Sequence, residues 1–230
     1  MRTLSFFPCA RPHYIASNTG CYEKINTGNR VSSVKEVDLS LCVHLQDPSL
    51  DAVAAAFPNL ETLCLNGCTG LVTFPSACAA LQNLHTLQLA GAHIGIRWKS
   101  DEQRATAYNS RLPFATGIAL QRCPALTSLD LSDNPGLSDA GVDALARAAP
   151  RLKELKLSRC QGLLHFPWSV LQCCREMRTL LLDGANVVVA DTAMHIPAHM
   201  SMKKLDLHGC HRMMYVKLLL PAKRVALTGC

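Results

Sequence analysis

Aromatic residues make up only 5% of this chain, and charged residues only 17%. With 2 Trp, 4 Tyr and 6 Phe among 230 residues, any core must be aliphatic. No apolar run reaches the roughly 18 residues of a membrane-spanning helix, so no membrane association is expected. Catalytic signatures are missing as well. There is no G-x-S-x-G, no glycine-rich phosphate loop and no H-E-x-x-H. The 9 histidines stand in no pattern that pairs them with a particular Asp or Ser. The expectation is a non-enzyme with no catalytic residue, no cofactor and no metal site. A signal peptide is lacking too, because Leu4–Phe7 is too short an apolar stretch and Pro8 and Arg11 follow closely. Acidic residues are absent before Glu23, while Arg2 and Arg11 are present. That composition fits a mitochondrial targeting segment, but Pro8 and Pro12 interrupt the amphipathic helix such a segment needs. Residues 1–33 are therefore read as an N-terminal arm or cap over the first strand, or as a targeting segment.

What is abundant is cysteine, 12 in all, within a chain that is 49% hydrophobic. The placement of these cysteines argues against a disulfide framework. Many of them recur at one repeated position, where they have a packing role. A reducing compartment, the cytoplasm, is expected, with the mitochondrion as the alternative. Cys173 and Cys174 and the scattered histidines lack the spacing of a zinc site.

The repetition extends well beyond cysteine. Eight segments align: VKEVDLSLC (34–42), LETLCLNGC (60–68), LHTLQLAGA (84–92), LTSLDLSDN (126–134), LKELKLSRC (152–160), MRTLLLDGA (177–185), MKKLDLHGC (202–210) and AKRVALTGC (222–230). The template is L-x-x-L-x-L-x-x-C/N/A. Its L-x-L centre alternates apolar and polar residues, as a half-buried strand does. The ninth position is a turn off the strand, taking a small or hydrogen-bonding side chain inside the coil. This pattern resembles the leucine-rich repeat family over residues 34–230. The resemblance implies an α/β solenoid, with a curved parallel sheet on the concave face and helices and turns on the convex face. No single unit can bury its leucines alone, but stacked neighbours make one continuous core. Each buried leucine contributes about 1.5–3 kcal/mol.

The return segments are of two kinds. SLDAVAAAFPNL after the first copy and SDAGVDALARAAPRL after the fourth read as helices that stop at Pro58 and Pro150. They are similar to the cysteine-containing repeats of F-box substrate receptors. GLVTFPSACAALQNL and GLLHFPWSVLQCCREM share G-L-x-x-F-P, similar to the commoner repeat with a proline-turned return. A longer period is also present. Asp38, Asp51, Pro58, Cys68, Gly70, Phe74 and Pro75 recur 92 residues later as Asp130, Asp143, Pro150, Cys160, Gly162, Phe166 and Pro167. A three-unit block has been duplicated, and Phe74 and Phe166 are expected in the core. About residues 95–111, GIRWKSDEQRATAYNSR, are surplus to the rhythm and are read as a loop insertion, either functional or disordered.

Function is expected to be non-catalytic: protein–protein interaction or scaffolding within a larger assembly. One alternative is the substrate-recognition subunit of a ubiquitin ligase, although residues 1–33 lack the leucine-proline opening and closing tryptophan of an F-box. The other is a protein component of a ribonucleoprotein particle. Residues 1–150 hold 11 basic and 12 acidic residues, while residues 151–230 hold 12 basic and 5 acidic. RNA contact through this basic C-terminal third is therefore a second kind of partnership. Arg151, Lys153, Lys156, Arg159, Lys203, Lys204 and Arg224 are expected to form a positive surface for an acidic partner. The candidate partner-binding residues are Lys156, Arg159, Asp130, Asp206, His208 and Arg224 on the sheet face, and Trp98 in the insertion. Val225 and Leu227 join them, because the eighth copy stops at Cys230 and its strand, 224–228, is expected to be an open edge covered by a partner.

Overall fold

A computed structural model describes residues 2–5, 33–71, 80–93, 123–189, 193–195, 200, 202–210, 212–213, 217–219 and 225–226. In chain order the strands are β1 (Arg2–Ser5), β2 (Val34–Asp38), β3 (Thr62–Cys64), β4 (Thr86–Gln88), β5 (Ser128–Asp130), β6 (Glu154–Lys156), β7 (Thr179–Leu181), β8 (Val188–Val189), β9 (Ala193–His195), β10 (Lys204–Asp206), β11 (Arg212–Met213), β12 (Lys217–Leu219) and β13 (Val225–Ala226). The helices are α1 (Asp47–Ala56), α2 (Asp139–Ala148) and α3 (Trp168–Cys173).

Nine strands form one parallel sheet in the order β1-β2-β3-β4-β5-β6-β7-β10-β13. Every aligned copy gives one strand, and like positions pair. Val37 registers with Leu63, then Leu87, Leu129, Leu155, Leu180, Leu205 and Val225 follow rung by rung. A slip of one residue would turn every leucine to the wrong face, so the L-x-L pattern itself fixes the register. Leu129, Leu155 and Leu157 are wholly buried and Leu131 nearly so. Strand β1 pairs in parallel with β2, placing a rung ahead of the first aligned copy. Of the strand expected over 224–228 in the eighth copy, Val225–Ala226 form β13, and 224 and 227–228 lie outside the described residues.

The return segments follow local sequence. Helix α2 starts at Ser138, whose side chain accepts from the Gly141 amide, and it ends before Pro150. Helix α1 has Pro48 in its first turn and ends before Pro58. In the G-L-x-x-F-P return of the fifth copy, Phe166 is buried against Trp168, with ring centroids 4.7 Å apart and planes at 57°, and the short helix α3 follows. Phe74 lies outside the described residues. In the returns of the sixth and seventh copies the described residues include short extended strands. Strand β8 pairs with β11 and β9 with β12, and His165 bridges to Val188. The β-branched run Val187–Val188–Val189 favours that choice over a helix.

Candidate functional site

The ninth position of each copy is where neighbouring coils are joined. Cys42, Cys68, Ala92, Asn134, Cys160, Ala185 and Cys210 are all buried there. The thiols of Cys68, Cys160 and Cys210 each donate, at 3.1 Å, to the sixth-position leucine carbonyl of the copy before: Leu39, Leu131 and Leu182. Asn134 does the same to Leu89 at 2.9 Å, and donates to Leu131 and Ser132 as well. Burial pushes the Cys68 and Cys160 thiols up to about 12, so they remain neutral donors. Cys174 is pushed up to about 12 in the same way and faces the Ala146 and Ala149 carbonyls of α2. None of the eight described cysteines is joined in a disulfide. Cys42, Cys68, Cys160 and Cys210 hold equivalent buried places, as their repetition in the sequence implied.

The eighth position has its own constraint. Leu41, Gly67, Gly91, Asp133, Arg159, Gly184 and Gly209 all have φ between 55° and 70°. Glycine takes that left-handed conformation freely, whereas Leu41, Asp133 and Arg159 are strained in it. Asp133 and Arg159 lie on adjacent rungs and offset their strain with a bidentate ion pair, Nε to Oδ1 at 2.6 Å and Nη2 to Oδ2 at 2.5 Å. The guanidinium's hydrogen bonds hold the Asp133 carboxyl below its ordinary range.

On the open face of the sheet, three rows of side chains run across the rungs. The third-position row is Glu36, Thr62, Thr86, Ser128, Glu154, Thr179 and Lys204, aligned by strand pairing. The fifth-position row runs Asp38, Cys64, Gln88, Asp130, Lys156, Leu181 and Asp206. The seventh-position row includes Asn66, Ser132, Ser158, Asp183 and His208.

Of the residues expected to bind a partner, Asp130, Lys156, Asp206 and His208 sit on this face and Arg159 in the turn beside it, and most already have local work. Asp38, Asp130 and Asp206 each accept the backbone amide two residues on, at 2.9, 3.0 and 3.2 Å, and so close the turn off the strand. Lys156 stands between Asp130, at 3.6 Å, and Glu154, at 3.5 Å. Arg159 is held by Asp133, and Lys204 lies 3.2 Å from Asp206. His208 is exposed and its amide donates to Asp206. Val225 registers with Leu205 in β13. Arg224, Leu227, Trp98 and the 95–111 insertion lie outside the described residues. The structure thus brings Asp130, Lys156 and Arg159 onto neighbouring rungs, with Asp206 and His208 further along.

Unforeseen in this arrangement is a row at the second position, along the N-terminal edge of the strands. Its backbone ladder is continuous. Lys153 donates to Thr127, Arg178 to Lys153 and Lys203 to Arg178, at 2.8, 2.7 and 2.7 Å. Sequence reasoning missed Arg178. Its signal was its place as the second residue of MRTLLLDGA, directly in line with Lys153 and Lys203.

Among the described residues no cluster of His, Cys, Asp and Glu is arranged to hold a metal, and no helix is long and apolar enough to cross a membrane. A leucine-rich repeat family model matches residues 122–146. The solved structure of a TLR13–ssRNA13 complex superposes with a TM-score of 0.57 at 17% identity, over 88% of this chain and 31% of that one. The mouse RP105/MD-1 complex gives a TM-score of 0.42 at 18% identity, over 84% of this chain and 35% of that one. The chain therefore spans about a third of the length of each of these proteins. The repeated strand, the buried ninth position and the continuous parallel ladder together give this chain the α/β fold of a leucine-rich repeat solenoid.

Proposed function

We infer that this chain is a non-catalytic interaction module, acting as a protein-binding or scaffold subunit of a larger assembly. Leucine-rich repeat proteins in general mediate protein or ligand interaction, and that is the coarse class. The observation that carries the finer reading is the open face. Seven stacked rungs, β2–β7 and β10, present rows of short polar side chains on a backbone held by an unbroken parallel ladder. Such a surface is rigid before it meets a partner, so little ordering cost is incurred on binding.

Protein is favoured over RNA on this face. Lys156, Arg159 and Lys204 are each within 4 Å of the chain's own carboxylates. Phosphate neutralisation would have to break those pairs. The test is affinity capture from the native cell with Thr86→Arg/Ser128→Arg, which places two long side chains at the middle of the face. A captured partner that disappears with this variant, while the variant melts like the parent, supports the reading. The same partner retained at full yield would sink it.

A further inference from the structure

Among the described side chains of residues 151–230, the excess positive charge has a definite location. The four acids of the described part of this segment are all engaged: Glu154 with Lys156, Glu176 with Lys153, Asp206 with Lys204, and Asp183 with the Ser158 hydroxyl. Lys156, Arg159 and Lys204 are held by these acids and by Asp130 and Asp133. What remains among the described side chains is Arg178 and Lys203 on consecutive second-position rungs, Lys153 on the rung before, and Arg151 and Arg175 in the turns that feed β6 and β7. Arg151, Arg175, Arg178 and Lys203 are exposed. Glu176 is the one acid among them, 3.1 Å from Lys153.

In the N-terminal half the same edge is neutral. Its second-position row reads Lys35, Glu61, His85 and Thr127, and Lys35 pairs with Glu61 at 2.5 Å. Ser33, Asn59, Asn83 and Ala125 stand where the C-terminal half has Arg151 and Glu176. Among the described residues the cationic stretch therefore lies along the edge of the fifth to seventh copies.

We propose that the strand-entry edge formed by Arg151, Lys153, Arg175, Arg178 and Lys203 is the docking surface for an extended acidic segment of a partner protein. The geometry fits. Neighbouring rungs lie about 4.8 Å apart, and alternate side chains of an extended peptide fall about 7 Å apart, within the reach of flexible lysine and arginine side chains. Acidic protein is preferred over single-stranded nucleic acid because the latter is gripped by exposed aromatic platforms. Among the described residues Phe57 and Phe166 are buried and Trp168 is half-buried against Phe166, so none serves this edge. The proposal deepens the interaction-module reading by naming a second surface and its partner class. Its test uses purified chain and defined probes, so it can fail while the open-face reading stands.

The probes are polyglutamate peptide and polyuridine RNA, titrated against the full chain at low and moderate salt. Polyglutamate should bind at low salt and weaken as salt rises, since screening shortens from about 30 Å at 0.01 M to about 10 Å at 0.1 M. Arg178→Glu/Lys203→Glu should weaken that binding by about tenfold or more, because like charges now face the probe. Ala55→Gln, a neutral change at an exposed position of α1, should bind as the parent does. Thermal melting checks that each variant is folded, and the milder Arg178→Ala/Lys203→Ala should fall between parent and reversal. Polyglutamate that fails to bind at low salt, binding indifferent to the edge reversals, or tighter binding of polyuridine through the same edge would each overturn the proposal.

Discussion

At the ninth position one side chain can both fill the coil and add a second donor to a carbonyl of the preceding turn. Cysteine does both at Cys68, Cys160 and Cys210, Asn134 does both with an amide, and Ala92 and Ala185 only fill. Cys160→Ala should therefore cost about 1–2 kcal/mol, the loss of one buried hydrogen bond and a small void, read as a shift in the urea midpoint. The same thiols set an alkaline limit. Their folded values of about 12 lie above the ordinary 9.0, so they favour folding below pH 9. That contribution is lost as pH rises from about 9 through about 12. Melting temperature should fall over that window, and less steeply in Cys160→Ala/Cys174→Ala. An equal slope in parent and variant would show that other groups govern alkaline unfolding. Buried leucines contribute more than the thiols do. Leu155 is wholly buried between Leu129 and Leu180, and Leu155→Ala should cost about 2–5 kcal/mol, read from the same urea midpoint.

At the scale of the element, each copy needs a left-handed residue just after its strand, and the identity of that residue adjusts stability. Leu41 has φ 64° and is 59% exposed, so its side chain gains little from burial while its backbone is strained. Leu41→Asn should stabilise by up to about 1 kcal/mol, measured by chemical unfolding, because asparagine tolerates that region. Gly162 is constrained in the opposite way. A Cβ there would lie 2.5 Å from the Leu137 carbonyl oxygen and 2.6 Å from that of Pro135. Gly70 meets the Leu45 and Val43 carbonyls likewise. The glycine of the duplicated G-L-x-x-F-P is thus a close approach between backbones, and Gly162→Ala should force a shift and destabilise the chain. Strands, ninth position and the helices α1 and α2 were legible because each has a local sign: L-x-L, a small residue, Ser138, Pro58, Pro150. The left-handed position was not. Glycine marks it at 67, 91, 184 and 209, but Leu41, Asp133 and Arg159 hide it. Nor were the extended returns β8 and β9, whose short runs carry no periodicity to separate strand from helix.

Across the whole molecule, charge is matched at a distance of one repeat. Lys35 pairs with Glu61, Asp133 with Arg159 and Asp130 with Lys156, and each pair is 26 residues apart in sequence. A residue-by-residue reading of the open face took Lys156, Arg159 and Asp206 as available because the register that places them beside their partners is a property of the stacked coils. Once the register is known, the pairs and the second-position edge of Lys153, Arg178 and Lys203 follow from the template positions alone. The same nearest-neighbour logic governs stability. In a stacked array each copy touches only its neighbours, so local damage should decay with distance along the stack. Leu155→Ala should therefore speed amide exchange most at 129–131 and 180–182, whose ladder bonds run directly to β6, and least at 37–39, four sheet neighbours away. Native-state hydrogen exchange on the variant measures the gradient. A uniform acceleration across all strands would instead mean that the solenoid opens only as one cooperative unit, with coupling between rungs strong enough to override their separate stabilities.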